Sequence, residues 1–279
     1  VRRAPAANLV AGGALVGAVL LAAMLSLVWT PHDPSGLAIP ERLQPPSPEH
    51  WLGTDHLGRD VASLLIGGAR TSVLVGLIAV GAGLAGGIVV GLTAAAAGGL
   101  VDEALMRACD LVFAFPAVVS ALLLTALLGP GAGNAILAIA IFNVPVFARL
   151  TRSAGRAVWV RDYVRAALAL GRSPLAVAGA HVLPNVAGVL AVQATLQFGI
   201  AILAEAALAY LGLGAQPPEP SWGRMLGDSQ TYLFGQPWLA VYPGLAIGAA
   251  VLGCNLLGDG LRDALDPRLR TGIAPRPAG

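Results

Sequence analysis

Apolar runs long enough to cross a bilayer recur along this chain, at residues 9–28, 72–97, 111–128, 134–150, 186–211 and 239–257. A spanning helix needs about 20 predominantly apolar residues, and inside the bilayer it must satisfy its own backbone. Runs of this kind fold into helices rather than open sheets. Of all residues, 56% are apolar and 11% charged, whereas a soluble domain is roughly a quarter charged. The expected fold class is an all-α membrane protein with six transmembrane helices.

Every basic residue is Arg. The chain therefore lacks the lysine with which a P-loop reaches nucleotide phosphates, and it has no Schiff-base lysine. If ATP drives this protein, another chain binds it. Cys109 and Cys254 lie at the ends of apolar runs and read as small buried hydrophobes. No cofactor is expected, and no nucleic acid. The run at 9–28 is longer than the apolar core of a secretory signal, about 7–15 residues, and reads as an uncleaved first span. Gly13 and Gly17 on it are spaced for close helix contact, and Trp29 follows at the membrane interface.

Residues 30–70 are polar and proline-rich in their first half. His50, Asp55, His56 and Asp60 crowd the second half, but without His-x-x-x-His spacing. No metal is assigned there; the segment reads as an elbow whose Asp and Arg pair with each other. In the second span Gly83, Gly87 and Gly91 repeat at every fourth position, so one helix face should pack hard against another span. Asp102, Glu103, Arg107 and Asp110 read as a short polar turn. Pro116 should kink the third span, and Pro145 should interrupt the fourth. The fifth carries Gln193, Gln197 and Glu205 within one broad face. A carboxylate in a span is costly and faces the bundle interior or a water-filled path. Lining a translocation path and pairing with another helix for assembly are both open readings of Glu205.

Between the fourth and fifth spans, residues 162–185 break the apolar pattern. Asp162 is a candidate N-cap of a short helix, with Arg165 and a small face at Ala166 and Ala167. Gly171 supplies a left-handed stop. Ser173 and Pro174 start a second helix, and Pro184, after His181 and Leu183, ends or kinks it. Two short helices joined by a sharp turn and studded with Arg suit a grip by a soluble partner. An interfacial helix pair with no partner is the bland alternative.

Three strings in this chain resemble one family. Ala166-Ala167, Gly171 and His181-Val182-Leu183-Pro184 resemble the EAA loop of bacterial ABC importer permeases. The family's usual Glu is Arg165 here. The run Gly53-Thr54-Asp55 through Gly58-Arg59-Asp60 resembles the segment ahead of the second span in the dipeptide, oligopeptide and nickel branch. Pro217, Pro218, Pro220, Ser221, Trp222 and Gly223 resemble a run in the C-type permeases of dipeptide and oligopeptide importers. Read without that likeness, this is a stiff interfacial loop with Trp222 available at the membrane surface. Glu205 followed by Leu-x-x-Leu-Gly-Leu-Gly is also common in the family.

The resemblance implies a type I ABC importer permease fold: an N-terminal span and elbow over residues 1–70, a five-span core over 71–262, and a short tail over 263–279. It implies a coupling loop at 162–185 that docks on the ATPase, two ATPase subunits, a second homologous permease and an extracytoplasmic binding protein. It also implies a peptide cargo, with nickel chelates or glutathione as alternatives. With the N-terminus inside, the inner segments hold Arg2, Arg3, Arg107, Arg149, Arg152, Arg156, Arg161, Arg165, Arg172, Arg262, Arg268, Arg270 and Arg276. The outer ones hold Arg42, Arg59, Arg70 and Arg224. This satisfies the positive-inside rule in a bacterial cytoplasmic membrane, with both termini cytoplasmic. A stand-alone channel or secondary transporter is the distant alternative. An intramembrane enzyme would need His181 and Glu205 together, and this topology puts them on opposite sides.

Overall fold

The computed structural model describes residues 5–115 and 117–265. They form α1 (Pro5–Leu25), α2 (Val61–Ala97), α3 (Gly99–Ala114), α4 (Ala117–Leu128), α5 (Ala132–Trp159), α6 (Asp162–Ala169), α7 (Pro174–Val177), α8 (Leu183–Tyr210), α9 (Trp222–Ser229) and α10 (Trp238–Leu265). Among the described residues five helices are long and apolar enough to cross a membrane, and six crossings result if the bent pair of α3 and α4 counts as one span.

The glycine face of α2 packs as its spacing requires. A Cβ at Gly83 or Gly87 would overlap the Cβ of Asn143 or Phe147, and one at Gly91 would sit 2.6 Å from Thr151 Cβ. The register advances together on both helices, so α2 and α5 run parallel with their backbones in close approach. Gly13 and Gly17 make no close contact within this chain: a Cβ at either would meet nothing within 4 Å among the described residues. Gly12 lies on the α10 backbone at Leu257 instead, and Gly253 and Gly260 meet Val16 and Leu9. The first span is thus seamed antiparallel to the last by small residues one position away from the apparent motif.

Several boundaries differ from the sequence reading. Helix α2 starts at Val61 rather than near residue 72, because Asp60 caps it, accepting from Ser63 N at 2.8 Å. The polar turn expected at Asp102–Asp110 is helical. Its charges find partners there: Glu103 pairs with Arg107 one turn on at 2.5 Å, and Asp102 accepts from Arg152 and Arg156. The third crossing is no straight span, since the axes of Gly99–Ala114 and Val119–Thr125 lie 86° apart; Pro116 itself lies outside the described residues. Even so, the bent pair traverses the bundle. Asp102 at its start meets the far end of α5, and Gly131 past its end donates to Leu213 O, beyond α8, at 3.1 Å. Helix α5 continues through Pro145 without interruption. Helix α10 runs on to Leu265, so the first part of the expected tail extends the last span.

The bundle has two ends. A cap is built from residues 29–60, the 211–221 connection and α9. The opposite end carries the short helices α6 and α7.

Candidate functional site

At the hairpin end, α6 starts one residue differently from expectation. Asp162 is not the cap; Arg161 holds that position with no side-chain bond, and Asp162 is the first helical residue. A carboxylate there still opposes the positive helix terminus. Val164 and Ala167 are buried, and with Val177, Val182 and Val158 they join the bundle's apolar core. Gly171 takes φ +82°, and Arg172 N bonds back to Ala167 O at 3.2 Å, closing the turn. Ser173 caps α7, its hydroxyl accepting from Ala176 N at 3.3 Å. A π-helical turn, Ala178–Val182, then runs directly into α8, with Pro184 in the first turn of that helix. His181, half-buried in this turn, meets Tyr163 of α6 edge-on at 6.0 Å.

The outer face of the hairpin is different. Arg161, Arg165, Ala166 and Arg172 are exposed, and so are Leu170 at 86% and Leu175 at 84%. Behind it, Arg152 and Arg156 clamp the buried carboxylate of Asp102, and Arg149 pairs with Asp110 while lying over the Phe113 ring at 4.5 Å. These links tie α3 to the end of α5 immediately before the hairpin.

The three polar residues of the fifth span do not act as one face. Gln197 is buried and donates to Asn143 Oδ1 of α5 at 2.7 Å, and Gln193 reaches Gln197 at 3.4 Å. Asn143 and Gln197 border a cavity of about 370 Å³ between α3, α4, α5 and α8, whose apolar walls include Phe113, Phe142, Ala201 and Leu208. Glu205 lies elsewhere. Completely buried, it accepts from Ser72 Oγ of α2 and from Ser221 Oγ, both at 2.8 Å. Asn143 and Ser72 were missed by the sequence reading. The one signal for each is a hydrogen-bonding side chain inside an otherwise apolar run.

Ser221 and Trp222 connect that carboxylate to the cap. Trp222 is not at the membrane surface as expected: it is 3% exposed and donates through Nε1 to Leu65 O at 2.9 Å. Space for it comes from Gly68, where a Cβ would sit 2.7 Å from the indole. Gly67 makes room for Pro220, and Gly223 lies against the α8 backbone at Ala206. Pro217 and Pro218 are exposed and joined by a cis peptide. On the cap loop, Arg59 pairs with Asp55 at 2.6 Å, as the sequence reading held. Asp33 accepts from the hydroxyl and N–H of Ser35, which holds its carboxyl below the usual range.

The sequence of this chain matches known membrane components. A model of the binding-protein-dependent transport system inner membrane component matches residues 87–271, which include the hairpin, the cavity and Glu205. The chain belongs to that family. The permease is 46% identical over 230 residues to the dipeptide transport system permease protein DppC of Alkalihalophilus pseudofirmus, covering 82% of this chain and 76% of the relative. It is 44% identical over 266 residues to the di/tripeptide transport system permease protein DppC of Pseudomonas aeruginosa, covering 93% and 88%. It is 39% identical over 263 residues to the glutathione transport system permease protein GsiD of Pectobacterium atrosepticum, covering 94% and 87%. It is a dipeptide-branch ABC permease, a multi-pass inner-membrane protein of a system that also uses a binding protein.

Proposed function

We propose that this permease carries short peptides inward across the cytoplasmic membrane, paired with a second permease and driven by two ATPase subunits beneath it. One observation carries the reading. The hairpin of α6 and α7 buries one face in the bundle and is continuous with α8, while its other face is exposed, arginine-rich and apolar at Leu170 and Leu175. A partner gripping that face would move α8 directly. The arginine distribution supports placing the hairpin in the cytosol and the cap outside, where a binding protein would deliver cargo. Asn143 and Gln197 offer uncharged hydrogen-bonding groups beside a cavity, with Gln193 linked to Gln197, which suits a path for polar cargo. Glu205 serves as a fixed tie between α2, α8 and the cap rather than as a path-lining charge. Alternating access would come from rocking of the helices around this frame.

The peptide cargo is supported by the names of the dipeptide and di/tripeptide relatives. Glutathione, itself a peptide, is the second reading, favoured by the GsiD relative. The test is Gly171→Pro. Proline is locked near φ −65° and cannot adopt the +82° of this turn. The variant should reach the membrane but lose peptide uptake by about tenfold or more, since misplaced coupling geometry of order 1 Å is costly. Undiminished uptake by that variant, or failure of ATPase chains to copurify with the wild type, would sink the proposal. Competition of labelled dipeptide uptake by glutathione separates the two cargo readings.

A further inference from the structure

We infer that His32, His50 and Asp60 form a binding site for one divalent transition-metal ion, of the zinc, cobalt or nickel kind, which cross-links three segments of the cap. Each of the three offers one ligand atom, and these atoms lie within 4.8 Å of one another. His50 Nδ1 is 3.0 Å from Asp60 Oδ1, and His32 Nδ1 is 3.8 Å from the same oxygen. Ion–ligand bonds of about 2.0–2.2 Å in a tetrahedral shell set neighbouring ligand atoms about 3.3–3.6 Å apart, so binding needs shifts of about 1 Å or less, His50 parting slightly from Asp60 and His32 closing in. Two imidazoles and one carboxylate suit a borderline ion, whereas calcium and magnesium prefer an all-oxygen shell.

The surroundings hold these ligands in place. Asp60 Oδ2 is occupied by Ser63 N and Oγ at 2.8 and 2.7 Å, which fixes the carboxylate and leaves Oδ1 for the ion. Ser63 Oγ also accepts from His32 N at 2.9 Å, anchoring that residue. On its far side His50 Nε2 faces Glu41 Oε2 at 3.6 Å. A carboxylate behind a ligating histidine orients the ring and raises its basicity. His50 and Asp60 are buried, while the His32 side chain is 44% exposed, which gives an entry path and an open coordination position. The other candidates of this loop are engaged elsewhere: Asp55 with Arg59, and His56 stacked on Tyr232 at 5.6 Å.

The site goes beyond the transport reading and does not depend on which way the chain crosses the membrane. It also lies outside residues 87–271, the stretch matched by the family model. Bound there, the ion would join the segment after α1 and the cap loop to the first turn of α2.

The test is a Co2+ titration of the full-length protein in detergent, with copurifying subunits, without nucleotide and with any polyhistidine tag removed. The visible absorption of Co2+ reports the ligand field, and Zn2+ serves as competitor. The expected result is saturation at one ion per chain, bleached by Zn2+, lost in His32→Ala and His50→Ala and unchanged in His56→Ala. Glu41→Gln should weaken binding by about 10–100-fold. His32→Ala is the deciding variant, because it leaves the His50–Asp60 bond and the α2 cap intact. Superimposable titrations of wild type and His32→Ala, or no saturable binding in the wild type, would overturn the inference.

Discussion

The two ends of α8 enter loops built on opposite plans. At its C-terminal end, the 211–221 connection and the start of α9 turn their groups inward: Ser221 to Glu205, the Trp222 indole to Leu65 and Gly223 to the α8 backbone. At its N-terminal end, the hairpin buries only a narrow stripe at Val164, Ala167, Val177 and Val182. It leaves three arginines and two leucines without a place in the bundle. One loop is fastened by buried hydrogen bonds that have no substitute in an apolar interior. The other has its bonding capacity unspent on the outside. The contrast separates a connection fastened to the bundle from a hairpin whose outer groups face away from it.

Substitutions can break this contrast. The largest effect on stability is expected from Glu205→Ala, which strands the Ser72 and Ser221 hydroxyls in the core at about 1–3 kcal/mol each. Thermal unfolding in detergent should shift down, and protease should cut the 211–221 connection. An unshifted midpoint would mean the carboxylate does not fasten the cap. Next comes Gly87→Leu, which forces α2 away from Phe147 and should cost about 1–3 kcal/mol by overpacking; it tests whether the seam carries both ends together. Ser173→Ala should be smaller and local. Losing the α7 cap costs about 1 kcal/mol, visible as faster amide exchange in α7 with little change in global unfolding. The smallest is Arg165→Ala. As an exposed surface change it should stay within about 0.5 kcal/mol, yet recover fewer ATPase chains on copurification. If it lowers the unfolding midpoint as much as Glu205→Ala does, the distinction between the two ends collapses.

Much of this was legible from residue order. Apolar runs announced the crossings, and the every-fourth-residue glycines announced the α2–α5 seam. Gly171 and Ser173-Pro174 announced the hairpin, because a left-handed stop and a capped start are local chemistry. What misled was polarity read one residue at a time. Asp102 to Asp110 looked like a turn because its ion partners, Arg149, Arg152 and Arg156, lie on a helix far along the chain. Gly13 and Gly17 carried the motif, yet Gly12 made the contact, since spacing defines a face without saying which face meets the neighbour. Trp222 looked like an interfacial anchor because nothing local reveals that Gly67 and Gly68 open a slot for its loop.

Residue order alone determined the material: helices rather than sheets, the stop at Gly171 and the restart at Ser173-Pro174, and no lysine with which to hold a nucleotide. These follow from backbone satisfaction in lipid and from the fixed conformational limits of Gly and Pro, which act within a few residues. Only the tertiary structure decided which polar side chains meet. Gln197 and Glu205 share a helix but were sent to different neighbours, α5 for one and α2 with the cap for the other. His32, distant in sequence from His50 and Asp60, was brought beside them. A buried hydrogen bond needs its partner within about 3 Å, and the chain supplies that partner only by folding back on itself.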